Sequence, residues 1–153
     1  MRPRSAFTLV EVLIVVIILG ILAAVIVPQF TSAADESRAN ATAITVRGMM
    51  RKLSEMKARD GTFPATITAD MFEGEQLPVN PYDPDATTTI QVDTTVDKRH
   101  PASKTIHSAG AFWYNPTNGI VRARVTEGAD DAETIALYNA ANSCKVTSLA
   151  QTD

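Results

Sequence analysis

Apolar positions run almost unbroken over 7–30, and between Arg4 and Asp35 the one charged side chain is Glu11. At about 1.5 Å rise per residue, such a run spans a ~30 Å hydrocarbon core as a helix, so it predicts a transmembrane segment. Gly20 and Pro28 are its weak points. Pro28 removes one backbone donor, and an interruption or bend is expected there. The apolar period then changes. Val46, Met49, Met50, Leu53 and Met56 recur at three- and four-residue spacing, with Arg47, Arg51, Lys52, Glu55 and Lys57 between them. This predicts an amphipathic helix over about 31–59, its methionines filling core gaps against a sheet. The small, polar stretch 33–43 suits a helix exposed in the monomer and packed in an assembly. Arg59-Asp60-Gly61 ends the helix, with Gly61 in the left-handed cap position.

Residues 65–85, punctuated by Pro78, Pro81 and Pro84, read as a loop with one helical turn near 69–72. Ile90, Val92, Thr94 and Val96 alternate with Gln91, Asp93, Thr95 and Asp97, the period of a half-buried strand. Residues 98–108 read as an exposed connection. Segments 111–114 and 120–125 bracket Asn115-Pro116-Thr117-Asn118-Gly119, a hairpin turn signal. After Gly128, Asp130 with Glu133 three residues on predicts a capped helix to about 142. These elements compose an α+β chain: one long N-terminal helix, its first half in the membrane and its second packed on a small antiparallel sheet. The head's interior is expected to join Met49, Leu53 and Met56 to Trp113, Val121, Ala123 and Val125.

Composition narrows the function classes. With 153 residues, there is room for one small domain beside the membrane helix, which excludes large multi-site enzymes. The 14 Lys and Arg against 17 Asp and Glu give a net charge of −3, and without Arg2 and Arg4 the balance is 12 against 17, or −5. Nucleic-acid binding asks for the opposite sign. The single Cys144 closes no intramolecular disulfide, so the head depends on its core or on neighbouring subunits. Arg2 and Arg4, with no acidic residue beside them, place the N-terminus in the cytoplasm and the head outside it by the positive-inside bias.

The front of the chain does not follow secretory-signal anatomy, in which a small-residue cleavage site follows the apolar core. Here the small pair Ser5-Ala6 precedes the apolar run, and Val27-Pro28-Gln29 is a poor exit site. A buried carboxylate costs about 2.5–3.5 kcal/mol on insertion scales, so Glu11 should have a partner or a task. Ala6-Phe7-Thr8-Leu9-Val10-Glu11, followed by the apolar run to Ala24, resembles the N-terminal signature of type IV pilins and type II secretion pseudopilins. The resemblance implies cleavage by a prepilin peptidase between Ala6 and Phe7 and N-methylation of Phe7. It places Glu11 on the family's assembly glutamate, while Ala6 stands where glycine is usual. Asp60-Gly61-Thr62-Phe63-Pro64 resembles the segment that closes the long pseudopilin helix, and the run from Trp113 to Ala123 a pseudopilin hairpin. Leu77-Pro78-Val79-Asn80-Pro81-Tyr82 resembles a further family segment, with Asn80 in an acidic place and the following glycine missing. The implied organisation is a cytoplasmic leader at 1–6, a transmembrane assembly helix at 7–30 and a periplasmic or extracellular head at 31–153. Major type IV pilins commonly carry a disulfide-closed loop, so the lone cysteine favours the pseudopilin branch.

Catalytic chemistry finds little support. His100 and His107 have only Ser103, Ser108 and Cys144 as conceivable nucleophile partners, and no nucleophile motif surrounds these. The spacings match no zinc signature, Cys144 reads as a small buried residue, and no G-x-x-x-x-G-K-[ST] run is present. Calcium enters through the resemblance, since related pseudopilins often hold it in loops between head strands. It asks for six to eight oxygens, and Asp83, Asp85, Asp93 and Asp97 are the candidate ligands. With the Asn80 substitution, weak or no calcium dependence is expected, and no other cofactor.

The resemblance implies a structural, non-enzymatic subunit of the inner membrane. It would polymerise through its helix into a periplasmic pseudopilus for type II secretion, with minor pseudopilins, the peptidase, an inner-membrane platform and its ATPase as partners. The alternative is a type IV pilin, major or minor, for adhesion, motility or DNA uptake. A tethered binding module or enzyme leaves Glu11 without a reason.

Overall fold

The computed structural model describes residues 7–83, 89–106 and 110–153, with the backbone alone over 27–32. In chain order it contains α1 (Leu9–Asp60), two single 3₁₀ turns (Ala69–Met71 and Glu73–Glu75), β1 (Ile90–Val92), β2 (Phe112–Asn115), β3 (Ile120–Ala123) and α2 (Asp131–Asn142). The chain divides into two units, 1–35 and 36–153.

Helix α1 has 52 residues and includes both weak points, Gly20 and Pro28, without the interruption expected at the proline. A proline removes a single ladder bond, and in an apolar segment neighbouring groups can make good that loss, so helical backbone continues on both sides. The helix ends as the sequence predicts. Gly61 takes φ +80°, and its N–H donates to Lys57 O at 2.8 Å.

The head is built on the 36–60 part of α1. Val46, Met49 and Leu53 are fully buried and pack in one cluster with Ile67, Phe112, Tyr114, Val121 and Ala123. Met56, expected in this interior, is only half-buried, beside Asp70 and Met71 of the first 3₁₀ turn. Trp113 and Val125 are buried as expected. Val125, however, belongs to a second cluster with Tyr82, Tyr138, Ala141 and Val146.

The sheet has three strands in the order β1-β2-β3 and is mixed, where an antiparallel one was expected. β2 and β3 form the predicted hairpin, with Phe112 opposite Ala123 and Tyr114 opposite Val121. β1 pairs with β2 in parallel, Ile90 beside Phe112 and Val92 beside Tyr114. Parallel pairing needs a long crossover, and 93–111 supplies it. The predicted strand over 90–96 stops at Val92 because the Asp93 carboxylate accepts from Thr95 N–H at 3.0 Å, an Asx turn that breaks the pleat.

All four β2 residues are buried. Alternate side chains of a strand point to opposite faces, so both faces of β2 must be covered. Phe112 and Tyr114 face α1. On the other side lies the 95–106 connection; the sequence suggests an exposed connection over 98–108, and within it Arg99, Ala102 and Ser103 are exposed while His100, Pro101 and Lys104 are buried. It is fastened by Asn115 Nδ2, which donates to Thr95 O at 2.8 Å and Lys98 O at 3.0 Å, and by a parallel bridge between Thr105 and Val125.

Helix α2 begins at the predicted cap, with Asp130 Oδ1 accepting from Glu133 N–H at 2.8 Å. Its last residue, Asn142, closes the outer edge of β3. The carboxamide accepts from Ala123 N–H at 2.8 Å and donates to Ala123 O at 2.9 Å, as a neighbouring strand would.

Candidate functional site

The start of α1 holds the first candidate. Thr8 caps the helix, its N–H donating to Glu11 Oε2 at 2.8 Å and its hydroxyl to the same oxygen at 2.6 Å. Glu11 N–H returns a bond to Thr8 Oγ1 at 3.3 Å. This reciprocal pairing is a capping box, and a carboxylate also suits the positive end of the helix dipole. The T-x-x-E spacing carries that signal in the sequence, beside the membrane cost and the assembly role that Glu11 suggests there. Phe7, just ahead, is 78% exposed. Ala6 lies outside the described residues.

From Leu9 to Ile26 the helix is long and apolar enough to cross a membrane, and none of these residues is buried within the chain. Val10, Leu13, Ile14, Ile17, Ile21 and Val25 all remain more than half exposed. In water such a surface is untenable, so lipid or other copies of the helix must cover it.

Of the calcium candidates, Asp83, Asp93 and Asp97 lie among the described residues. Asp93 is already engaged: its Oδ1 accepts from Thr95 N–H and from the Thr95 hydroxyl at 2.6 Å, and its Oδ2 faces Lys98 Nζ at 3.0 Å. The Thr95 hydroxyl and then Lys98 hold its carboxyl down at about 2. Asp97 is exposed at φ +68°, Asp83 is buried, and Asp85 lies outside the described residues. Among the described residues, no group of three or more His, Cys, Asp or Glu side chains is gathered.

Asn80 is likewise committed to the backbone. Its Nδ2 donates to Ala111 O at 2.9 Å and to Arg124 O at 2.8 Å, and its Oδ1 accepts from Tyr82 N–H at 3.1 Å. Fully buried, it pins the proline-rich loop to the ends of the β2–β3 hairpin. A carboxylate in its place could donate to neither carbonyl.

The residues considered for catalysis lie apart in role. Buried His100 meets the Tyr138 hydroxyl through Nδ1 at 3.1 Å, and burial, with Arg122, Lys104 and Arg99 nearby, lowers its pKa to about 4. The Ser103 hydroxyl is turned to Thr105 O, and Cys144 Sγ to Asn139 Oδ1 at 3.4 Å. Burial pushes the Cys144 thiol up, away from reactive thiolate. His107 and Ser108 lie outside the described residues. Lys104 and Arg124, both fully buried, were not singled out by the sequence.

Residues 1–27 match the prokaryotic N-terminal methylation motif. The chain is also 37% identical over 65 residues to Type II secretion system core protein G of Pseudomonas aeruginosa, a stretch covering 42% of this chain and 46% of that protein. The match therefore spans just under half of the relative's length. No solved structure matches the chain. A prepilin-type methylation segment, an exposed apolar helix and a small α+β head thus occur together in a chain similar to a type II secretion core protein.

Proposed function

We infer that this chain is a structural pseudopilin, a membrane-stored subunit that polymerises through α1 into a short periplasmic filament driving protein export. The observation that carries this reading is the bare helix surface from Leu9 to Ile26, charged only at Glu11. A tether needs an apolar surface but no charge within it. A subunit that leaves the bilayer must exchange lipid for other helices, and a charge that is costly in lipid then selects one axial register. Cleavage between Ala6 and Phe7 creates a free amine four residues before Glu11. In a staggered stack, the carboxylate of an incoming subunit neutralises the amine of its neighbour. The peptidase, an assembly platform with its ATPase, and minor pseudopilins follow as partners, and the head carries no catalytic duty. The similarity to a secretion core protein favours export over a pilus.

The test is expression of the full chain with its secretion genes, followed by N-terminal mass analysis and filament recovery by shearing. The account predicts a chain beginning at methylated Phe7 that sediments as filaments. A chain retaining Met1, or a processed chain that stays dispersed in the membrane, overturns it.

A further inference from the structure

Two fully buried cations in the head donate to backbone carbonyls. Lys104 Nζ donates to Pro101 O and Gln151 O, both at 2.6 Å, and sits 5.5 Å from the Tyr138 ring centroid. Arg124 donates through Nε to Ser103 O at 3.0 Å and through Nη1 to Gly110 O at 2.9 Å, while Nη2 meets Gln91 Oε1. The carbonyls come from segments far apart in sequence: the 99–106 connection, the approach to β2, and the C-terminal tail. The tail is held a second time, with Arg99 and His100 N–H groups both donating to Thr152 O at 2.8 and 3.1 Å. Converging carbonyls at a loop junction are the kind of donor set that a hard cation binds. Here the lysine and the guanidinium occupy those lone pairs, as Lys98 occupies the free oxygen of Asp93.

We propose that Lys104 and Arg124 fasten the loop layer and the C-terminal tail in place of a bound divalent metal ion, so that the head's order is independent of calcium. Charge-assisted bonds to carbonyls are among the stronger ones, and removing the donor takes a partner from the buried Pro101 O and the part-buried Gln151 O. The ammonium of Lys104 delivers its charge as a compact point, which suits two carbonyls converging from different segments. Burial lowers its pKa to about 8, which leaves it mainly charged at neutral pH.

The experiment uses the full chain in detergent micelles, with thermal melts and carboxypeptidase digestion, each with millimolar calcium and with chelator. The parent should melt at one temperature in both conditions and keep its tail. Lys104→Met should melt several degrees lower and lose the tail faster, with no recovery in calcium. A parent melt raised by calcium overturns the proposal, and it does so even if Lys104→Met fails to fold. A Lys104→Met variant that melts like the parent and keeps its tail overturns it as well. Lys104→Gln, neutral but still a donor, should fall between the two, and equality with the parent contradicts the need for charge. These readouts report the head's fold alone, so they stand or fall separately from polymerisation.

Discussion

Asn80 shows what one side chain can hold. Its amide donates to Arg124 O and to Ala111 O, the second of which also accepts from Arg124 N–H. Asn80→Asp should therefore destabilise the chain by about 1–3 kcal/mol in denaturant unfolding, since it removes two buried donor bonds and sets a carboxylate against two carbonyl oxygens. A change near zero would show that water reaches both carbonyls. His100 gives a pH dependence of definite sign. Folded, its pKa is about 4 against an ordinary 6.5, so between those values the unfolded chain binds a proton the fold refuses. Stability must fall as pH drops through that window. Asp93 acts lower: held at about 2, it contributes stability above its ordinary 3.8 that is lost as pH falls towards 2. His100→Gln should flatten the upper step and leave the lower, and an unchanged upper slope contradicts this assignment. In the sequence, Asn80 was visible only as a lost acidic residue. Lys104 and Arg124 were not visible at all, because a charged residue in a connection ordinarily stays at the surface. Nothing local distinguishes one that long-range carbonyls will enclose.

Among the elements, those governed by local signals were legible. The end of α1 at Gly61, the β2–β3 hairpin with its glycine at φ +73° and the Asp130 cap of α2 each depend on residues within a few positions. The direction of β1, the burial of the 95–106 connection and the Asn142 seal on β3 depend on pairings made across the fold, which no short window contains. The helix face was half legible. Leu53 is fully buried, and Leu53→Ala should cost about 2–5 kcal/mol. Met56→Ala, at a half-buried position, should cost much less, and equal effects would show that the whole face is core. At Gly119 an added Cβ would overlap the Phe63 ring at a backbone conformation that side chains avoid. Gly119→Ala should thus lower the melting temperature and free the 61–64 segment for proteolysis. A melt like the parent's would mean Phe63 moves aside without penalty.

For the molecule as a whole, the apolar helix and Glu11 are plain in the sequence, and the capping box gives Glu11 a second employment. That double role makes a pair of variants informative. Glutamine at this position can still accept from Thr8 and complete the box, so Glu11→Gln removes charge and keeps the cap. Glu11→Ala removes both. If the charge sets the register between subunits, both variants should enter the membrane and be cut. Neither should then assemble at the parental rate. The decisive measurement is the yield of sheared, sedimentable filaments from full-length parent, Glu11→Gln and Glu11→Ala, with insertion and cleavage scored separately. The account predicts filaments from the parent and a large loss in both variants, whereas processed variants that polymerise at the parental rate would contradict it.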